Sequence, residues 1–221
     1  MIVLYSHLTS GNSHGGGGYA PGPEPGWCVL AEKKYKKGSF FYKKENAFIE
    51  KSQNETKIFV DLKCDVDLCE NLGAPREIQI IYTLSKENVK IDVSWFNKDA
   101  NRLTEAIFFK LYPIESKVKF EKLGELIDPY KVVSRGSRNL HVIKRAVFAD
   151  GKNTIKVSNN PSPLVSVGKG KILEFDNVFE KLSSGLSYVL YNNVWGTNFP
   201  LWYEENAHFE FEINAGSYIE F

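Results

Sequence analysis

What this sequence has little of narrows its chemistry before any motif is considered. It has no apolar run approaching about eighteen residues, which excludes a transmembrane helix. Histidine occurs four times (His7, His14, His141 and His208), never at metal-ligand spacing and never beside a plausible nucleophile. The three cysteines, Cys28, Cys64 and Cys69, form an odd set without zinc-type pairing, so neither a disulfide framework nor a metal centre is expected. They read as reduced, mostly packed thiols; Cys64 and Cys69 would bridge only in an oxidising compartment. Charge of one sign is missing too: 28 basic and 27 acidic side chains leave a formal +1, with no long block of either. That argues against a phosphate-tracking surface and against nucleic acid as a partner. The opening Met1-Ile2-Val3-Leu4-Tyr5 has no basic flank and stops at Ser6-His7, too short for a secretory signal. A cytoplasmic chain is expected, or one whose start is not the natural one.

Glycine and proline are concentrated rather than scarce. Residues 11–26 hold four consecutive glycines (15–18) and then Pro21-Gly22-Pro23-Glu24-Pro25-Gly26, a composition that neither a helix nor a central strand tolerates. The Gly-Lys-Ser/Thr of a phosphate loop is absent, so this is a flexible linker running into a stiffer one, with no cofactor implied. The expected division is an N-terminal strand plus flexible Gly/Pro-rich loop over 1–26, followed by one β-sandwich domain over 27–221. At 221 residues and 43% hydrophobic, the chain can bury one real core.

Beyond residue 26 the period is two. Ile58, Val60 and Leu62 alternate with Phe59, Asp61 and Lys63. Ile78, Ile80, Tyr82 and Leu84, the polar turn Ser85–Asn88, and Val89, Ile91, Val93 and Trp95 together predict a hairpin. Alternation returns at 118–120, 155–157 and 209–213, with turn signals at Asp150-Gly151, Asn159-Asn160-Pro161 and Gly168-Lys169-Gly170. Short strands, frequent turns and 14% aromatics predict an all-β, antiparallel β-sandwich. Residues 103–111 also fit a helical face, but the bulk of Ile107-Phe108-Phe109 before Pro113 favours a buried strand.

For chemistry, the densest constellation runs from Tyr191 to Tyr203 and collects Trp195, Trp202, Tyr203 and the asparagines 192, 193 and 198 around Gly196 and Pro200. Gly and Pro there predict an irregular loop between strands. Aromatic faces stack on sugar rings and amides bond vicinal hydroxyls, so the loop suits a carbohydrate groove; equally, Trp195 and Trp202 would plug the end of a sandwich. In a sugar site, Trp195 and Trp202 are the platforms with Tyr203 beside them, and Asn198 is a hydroxyl partner. Arg102 and Glu105 are then polar contacts at the rim or at the interface with a partner domain. His141, which follows the loop Arg135–Leu140, reads first as a loop histidine capping backbone groups and otherwise joins the candidate carbohydrate contacts. Glu204 and Glu205 are adjacent, point to opposite faces of a strand and so make no glycosidase pair.

The run Asn192-Asn193-Val194-Trp195-Gly196-Thr197-Asn198-Phe199-Pro200-Leu201-Trp202-Tyr203 resembles the end of an uncharacterised branch of α-mannosidase-like (family 38-type) glycoside hydrolases. Asn97–Ala106 and the pieces Lys122-Leu123-Gly124, Asp128-Pro129, Val132-Val133 and Gly136–His141 resemble further stretches of that branch, in order, over residues 74–213. The resemblance implies a C-terminal β-supersandwich similar to the galactose-mutarotase-like fold. In the family it follows a catalytic barrel and a helical bundle. Nothing here matches the barrel, which carries the nucleophile and most zinc ligands, so no catalytic residue, metal or cofactor carries over. His208 and Glu210 stand where arginines would be expected, and the first 70 residues match poorly. The implied function is an accessory sandwich with a glycosidase catalytic domain as partner, not an enzyme as an isolated chain. A stand-alone carbohydrate-binding module is the second reading. A small epimerase-like sugar enzyme, with His141 and Glu105 as its acid–base pair, is the third.

Overall fold

The computed structural model describes residues 2–7, 38–100, 105–113, 117–133, 136, 139–150, 153–159, 161–172, 178–193 and 202–216. They form two antiparallel sheets. The smaller contains β1 (Ile2–His7), β2 (Gly38–Phe41), β7 (Glu105–Leu111), β10 (His141–Val142), β13 (Leu164–Val167) and β14 (Leu186–Asn192), in the spatial order β10-β13-β14-β7-β1-β2. The larger contains β3 (Lys43–Lys51), β4 (Thr56–Lys63), β5 (Glu77–Leu84), β6 (Asn88–Phe96), β8 (Lys117–Lys122), β9 (Glu125–Ile127), β11 (Arg145–Asp150), β12 (Asn153–Ser158) and β15 (Ala207–Gly216), in the order β3-β4-β5-β6-β15-β12-β11-β8-β9. The all-β antiparallel sandwich expected from the alternation is the architecture found.

Alternation decides which face each strand buries. Ile78 and Ile80 of β5, Ile91, Val93 and Trp95 of β6, and Phe211 of β15 point into the core, as do Ile107 and Phe109 of β7 and Leu186 and Tyr188 of β14. The sheets meet through aromatic rings: Phe109 lies 4.7 Å from Phe211, and Tyr188 approaches the same ring edge-on at 5.1 Å. The expected hairpin is β5–β6, in register from Glu77↔Phe96 to Leu84↔Val89, and Ser85 bonds back to Asn88 across its turn.

The ambiguous 103–111 run resolves as a strand for a physical reason. β7 is buried on both faces, Ile107 and Phe109 toward the larger sheet, and Ala106 and Phe108 into a second layer with Val189 and Ile172. A strand covered twice needs no polar face, so it reads as a continuous apolar run. Gly170 permits the cover: a Cβ there would stand 2.5–2.6 Å from the ring of Phe108.

Two short helical elements fall outside the strand pattern among the described residues, one of them a single 3₁₀ turn at Leu182–Ser184. Val66–Leu72 forms a short helix, α1, started by Asp65, whose carboxylate accepts the N–H of Asp67 at 3.1 Å. It buries Leu72 and Cys69 and leads through Gly73 and Ala74 to β5. Cys64 and Cys69 are both free thiols. Burial raises the pKa of each above the usual thiol value.

Candidate functional site

Four chain ends converge at one end of the sandwich. β6 leaves at Phe96 into Asn97, whose backbone is left-handed (φ 54) and whose N–H donates to Asn206 Oδ1 at 3.0 Å. β7 begins at Glu105, whose N–H donates to Asn193 Oδ1 at 2.6 Å while Asn193 N–H donates back to the Glu105 carbonyl at 3.1 Å. The exit of β6, the start of β7, the exit of β14 and the approach to β15 are thereby tied together.

Under these ties lies an ion pair with no solvent exposure on either side chain: Lys98 Nζ stands 2.7 Å from Glu105 Oε1. The ammonium also donates to the carbonyl of Gly73 at 2.9 Å and sits 5.4 Å from the centre of the Tyr191 ring. Desolvating two charges is tolerable here because the pair is short and the lysine's other protons find the carbonyl and the ring. Around it, Tyr203 is tilted against Tyr191 at 5.8 Å and meets Trp95 edge-on at 6.4 Å. The Tyr203 hydroxyl donates to the Asn206 carbonyl at 3.0 Å, and the indole N–H of the fully buried Trp95 donates to the Glu205 carbonyl at 3.1 Å. Burial, then the Glu105 charge, pushes the Tyr191 phenol well up; burial, then Glu205, raises that of Tyr203.

Glu105, Trp202 and Tyr203 are thus brought to one end. Trp202 is half-exposed there, at 43%. Tyr203 is half-buried and packs inward. Glu105 lies beneath the surface rather than on a rim, and a carboxylate already neutralised at 2.7 Å offers little charge to an external sugar. Arg102, Trp195 and Asn198 lie outside the described residues. His141 is elsewhere: it is buried on β10, its Nδ1 lies 3.2 Å from Lys122 Nζ and its ring meets Phe120 edge-on at 5.2 Å. His141, Val165, Tyr188 and Phe109 stand opposite one another across four strands, and Glu105 is four residues further along β7. Three strand spacings of about 4.8 Å and four residues of about 3.4 Å put Glu105 and His141 on the order of 20 Å apart. They do not share a pocket, and the epimerase-like reading loses its acid–base pair.

Lys98, Asn193 and Tyr191 organise this end; Asn193 and Tyr191 belong to the aromatic constellation read from the sequence without being chosen as site residues, and Lys98 was not singled out at all. A lysine in Asn97-Lys98-Asp99 looks like a solvated loop residue, and no local signal marks it as buried. The same holds for Lys171, which pairs with Glu180 at 3.3 Å on the outer side of the smaller sheet with its side chain 1% exposed. His208 behaves as a strand-face residue, with Nε2 2.9 Å from Asp92 Oδ1 and the side chain largely exposed. Among the described residues no three His, Cys, Asp or Glu side chains are grouped to hold a metal, and no helix is long and apolar enough to cross a membrane.

No family model matches the chain, and no curated protein sequence matches it at a significant level. Solved structures do. An α-mannosidase from Enterococcus faecalis V583 is similar at 11% identity and a TM-score of 0.58, over 98% of this chain and 26% of that one. A glycosyl hydrolase family 38 protein from Enterococcus faecalis is similar at 12% identity and a TM-score of 0.53, over 98% and 26%. A galactose 1-epimerase from Lactobacillus acidophilus NCFM aligns at 8% identity and a TM-score of 0.48, over 80% and 67%. At such identities the likeness is one of fold, and the chain spans about a quarter of the length of the two glycosidase structures.

Proposed function

We propose that this chain is a non-catalytic accessory β-sandwich of an α-mannosidase-like glycoside hydrolase, which seats against a catalytic domain and turns its Trp202 end toward that domain's substrate groove. The observation that carries the reading is the extent of the likeness: nearly the whole chain, 98%, follows 26% of an α-mannosidase chain. The ion pair supports it, because Glu105 locked to Lys98 holds strand ends together and is poorly placed to move a proton. Glycoside hydrolysis needs two carboxyl groups across the scissile bond, so the chemistry is assigned to the partner domain. The reading places the protein in the cytoplasm, where free thiols such as Cys64 and Cys69 persist. A half-exposed Trp202 beside Tyr203 favours a second reading, a stand-alone carbohydrate-binding module.

Two measurements on the purified chain separate the readings: turnover of an aryl α-mannoside, and tryptophan fluorescence titrated with α-mannosides. The accessory reading expects no turnover and no saturable quench. Turnover by the chain alone overturns it. A saturable quench that disappears in Trp202→Ala, with unchanged melting, replaces it with the binding-module reading.

A further inference from the structure

Three lysines are buried among the described residues, and two of them are paired, Lys98 with Glu105 and Lys171 with Glu180. Lys110 is the third. It projects from the outer face of β7, is 8% exposed, and among the described residues its Nζ meets neither a carboxylate nor another hydrogen-bond acceptor. What it meets is the ring of Tyr112, 5.2 Å from the centroid. Ser187, directly opposite on β14, turns its hydroxyl to the Gly168 carbonyl instead, at 2.8 Å. Gly185 lets the chain close over the lysine stem. Its backbone is left-handed (φ 95), and a Cβ there would stand 3.1 Å from Lys110 Cε and 2.8 Å from the Leu111 carbonyl oxygen. Tyr112 itself is 43% exposed, so the amine ends at a surface mouth rather than in the core.

An ammonium out of water with no counter-charge is the costly form of this side chain, and the neutral amine is the tolerable one. Burial accordingly lowers the pKa of Lys110, against the opposing charge of Glu180. That carboxylate is already engaged by Lys171 at 3.3 Å. A desolvated lysine near a second cation has its lone pair available as a nucleophile near neutral pH.

We propose that Lys110 is a covalent site for small aldehydes, which its amine takes up as an imine at the mouth beside Tyr112. The nitrogen lone pair attacks the carbonyl carbon, the C–N bond forms, and the carbonyl oxygen takes a proton from water while the nitrogen gives one up. The carbinolamine then loses its oxygen as water and the C=N bond closes. One aldehyde and one amine give one imine and one water, with no oxidant or reductant. Once protonated, the imine keeps a cation over the Tyr112 ring and near Glu180; an acyl group on the same nitrogen would forfeit both contacts. The site therefore favours carbonyl compounds over acyl donors. Gly185 and Tyr112 crowd the end of the lysine stem, which favours an aldehyde of few carbons.

The test treats the full chain with millimolar propanal and sodium cyanoborohydride, which traps each imine as a secondary amine. Peptide mass spectrometry then follows labelling lysine by lysine. At about pH 7 an amine of the usual pKa, about 10.4, is almost wholly protonated, and each unit of lowering multiplies its neutral fraction about tenfold. Lys110 should therefore be labelled at least about tenfold faster than the exposed Lys51 and Lys86, despite its burial. In the chain unfolded by guanidinium the difference should vanish. Labelling of Lys110 no faster than that of Lys51 and Lys86 overturns the proposal. So does an advantage that survives unfolding, because it would come from the local sequence and not from the site. The outcome does not depend on the glycosidase reading.

Discussion

Replacing Lys98 by methionine tests how the loop end is built. Methionine keeps most of the stem but removes the ammonium at 2.7 Å from Glu105 Oε1 and the donor to the Gly73 carbonyl at 2.9 Å. Both charged side chains are at 0% exposure, so water does not replace the lost partner. Breaking a buried pair from one side costs about 3–5 kcal/mol. A domain of this size loses about 2–4 °C of melting temperature per kcal/mol, so Lys98→Met should melt about 6–20 °C lower. The loss is large against a total stability of about 5–15 kcal/mol. Lys98→Met combined with Glu105→Leu removes both charges and should recover most of the loss, since apolar replacement of a whole buried pair is often neutral. Thermal and urea unfolding, read at the buried Trp95 and by circular dichroism, provide the assay. A single variant within about 2 °C of the parent, or a double variant no better than Lys98→Met, refutes the buried-pair account. If Glu105 instead served a sugar at an open rim, Glu105→Gln would alter binding and leave melting unchanged.

Gly170→Ala should destabilise by about 1–3 kcal/mol through overpacking against Phe108, and Phe108→Leu in the same chain should offset part of that cost. Additive losses in urea unfolding would show that the 168–172 segment does not seat on Phe108. Glu121 is held below the usual carboxylate range, first by its hydrogen bond from Arg145, then by the charges of Arg145 and Lys144, against the opposing effect of burial. A depressed folded pKa means stabilisation that is complete above about pH 4.3, the unfolded value, and lost as pH falls through the folded value. Arg145→Gln should therefore lower the urea midpoint at pH 7, and the deficit should shrink toward pH 3; a deficit constant across that range contradicts the assignment.

Alternation is a local property, so the class of fold and most strand positions were legible before any tertiary contact was known. Ile78–Leu84 and Val89–Trp95 announce one wet and one dry face without reference to any other part of the chain. The sequence also left the aromatic residues of the last loop adjacent on the chain, so Trp202 and Tyr203 were visible as a group. Helix α1 was not visible, since seven residues are too few to show a period. That β7 is covered on both faces depends on tertiary structure, because its second cover comes from the distant segment around Gly170. Only it decided that Lys98 is buried, because the Gly73 carbonyl, Glu105 and the Tyr191 ring come from three other places in the chain. And only it separated Glu105 from His141, since pairing across β10, β13, β14 and β7 fixes that distance. Whether a polar side chain is a ligand or an anchor depends on partners remote in sequence, and a local pattern holds no information about them.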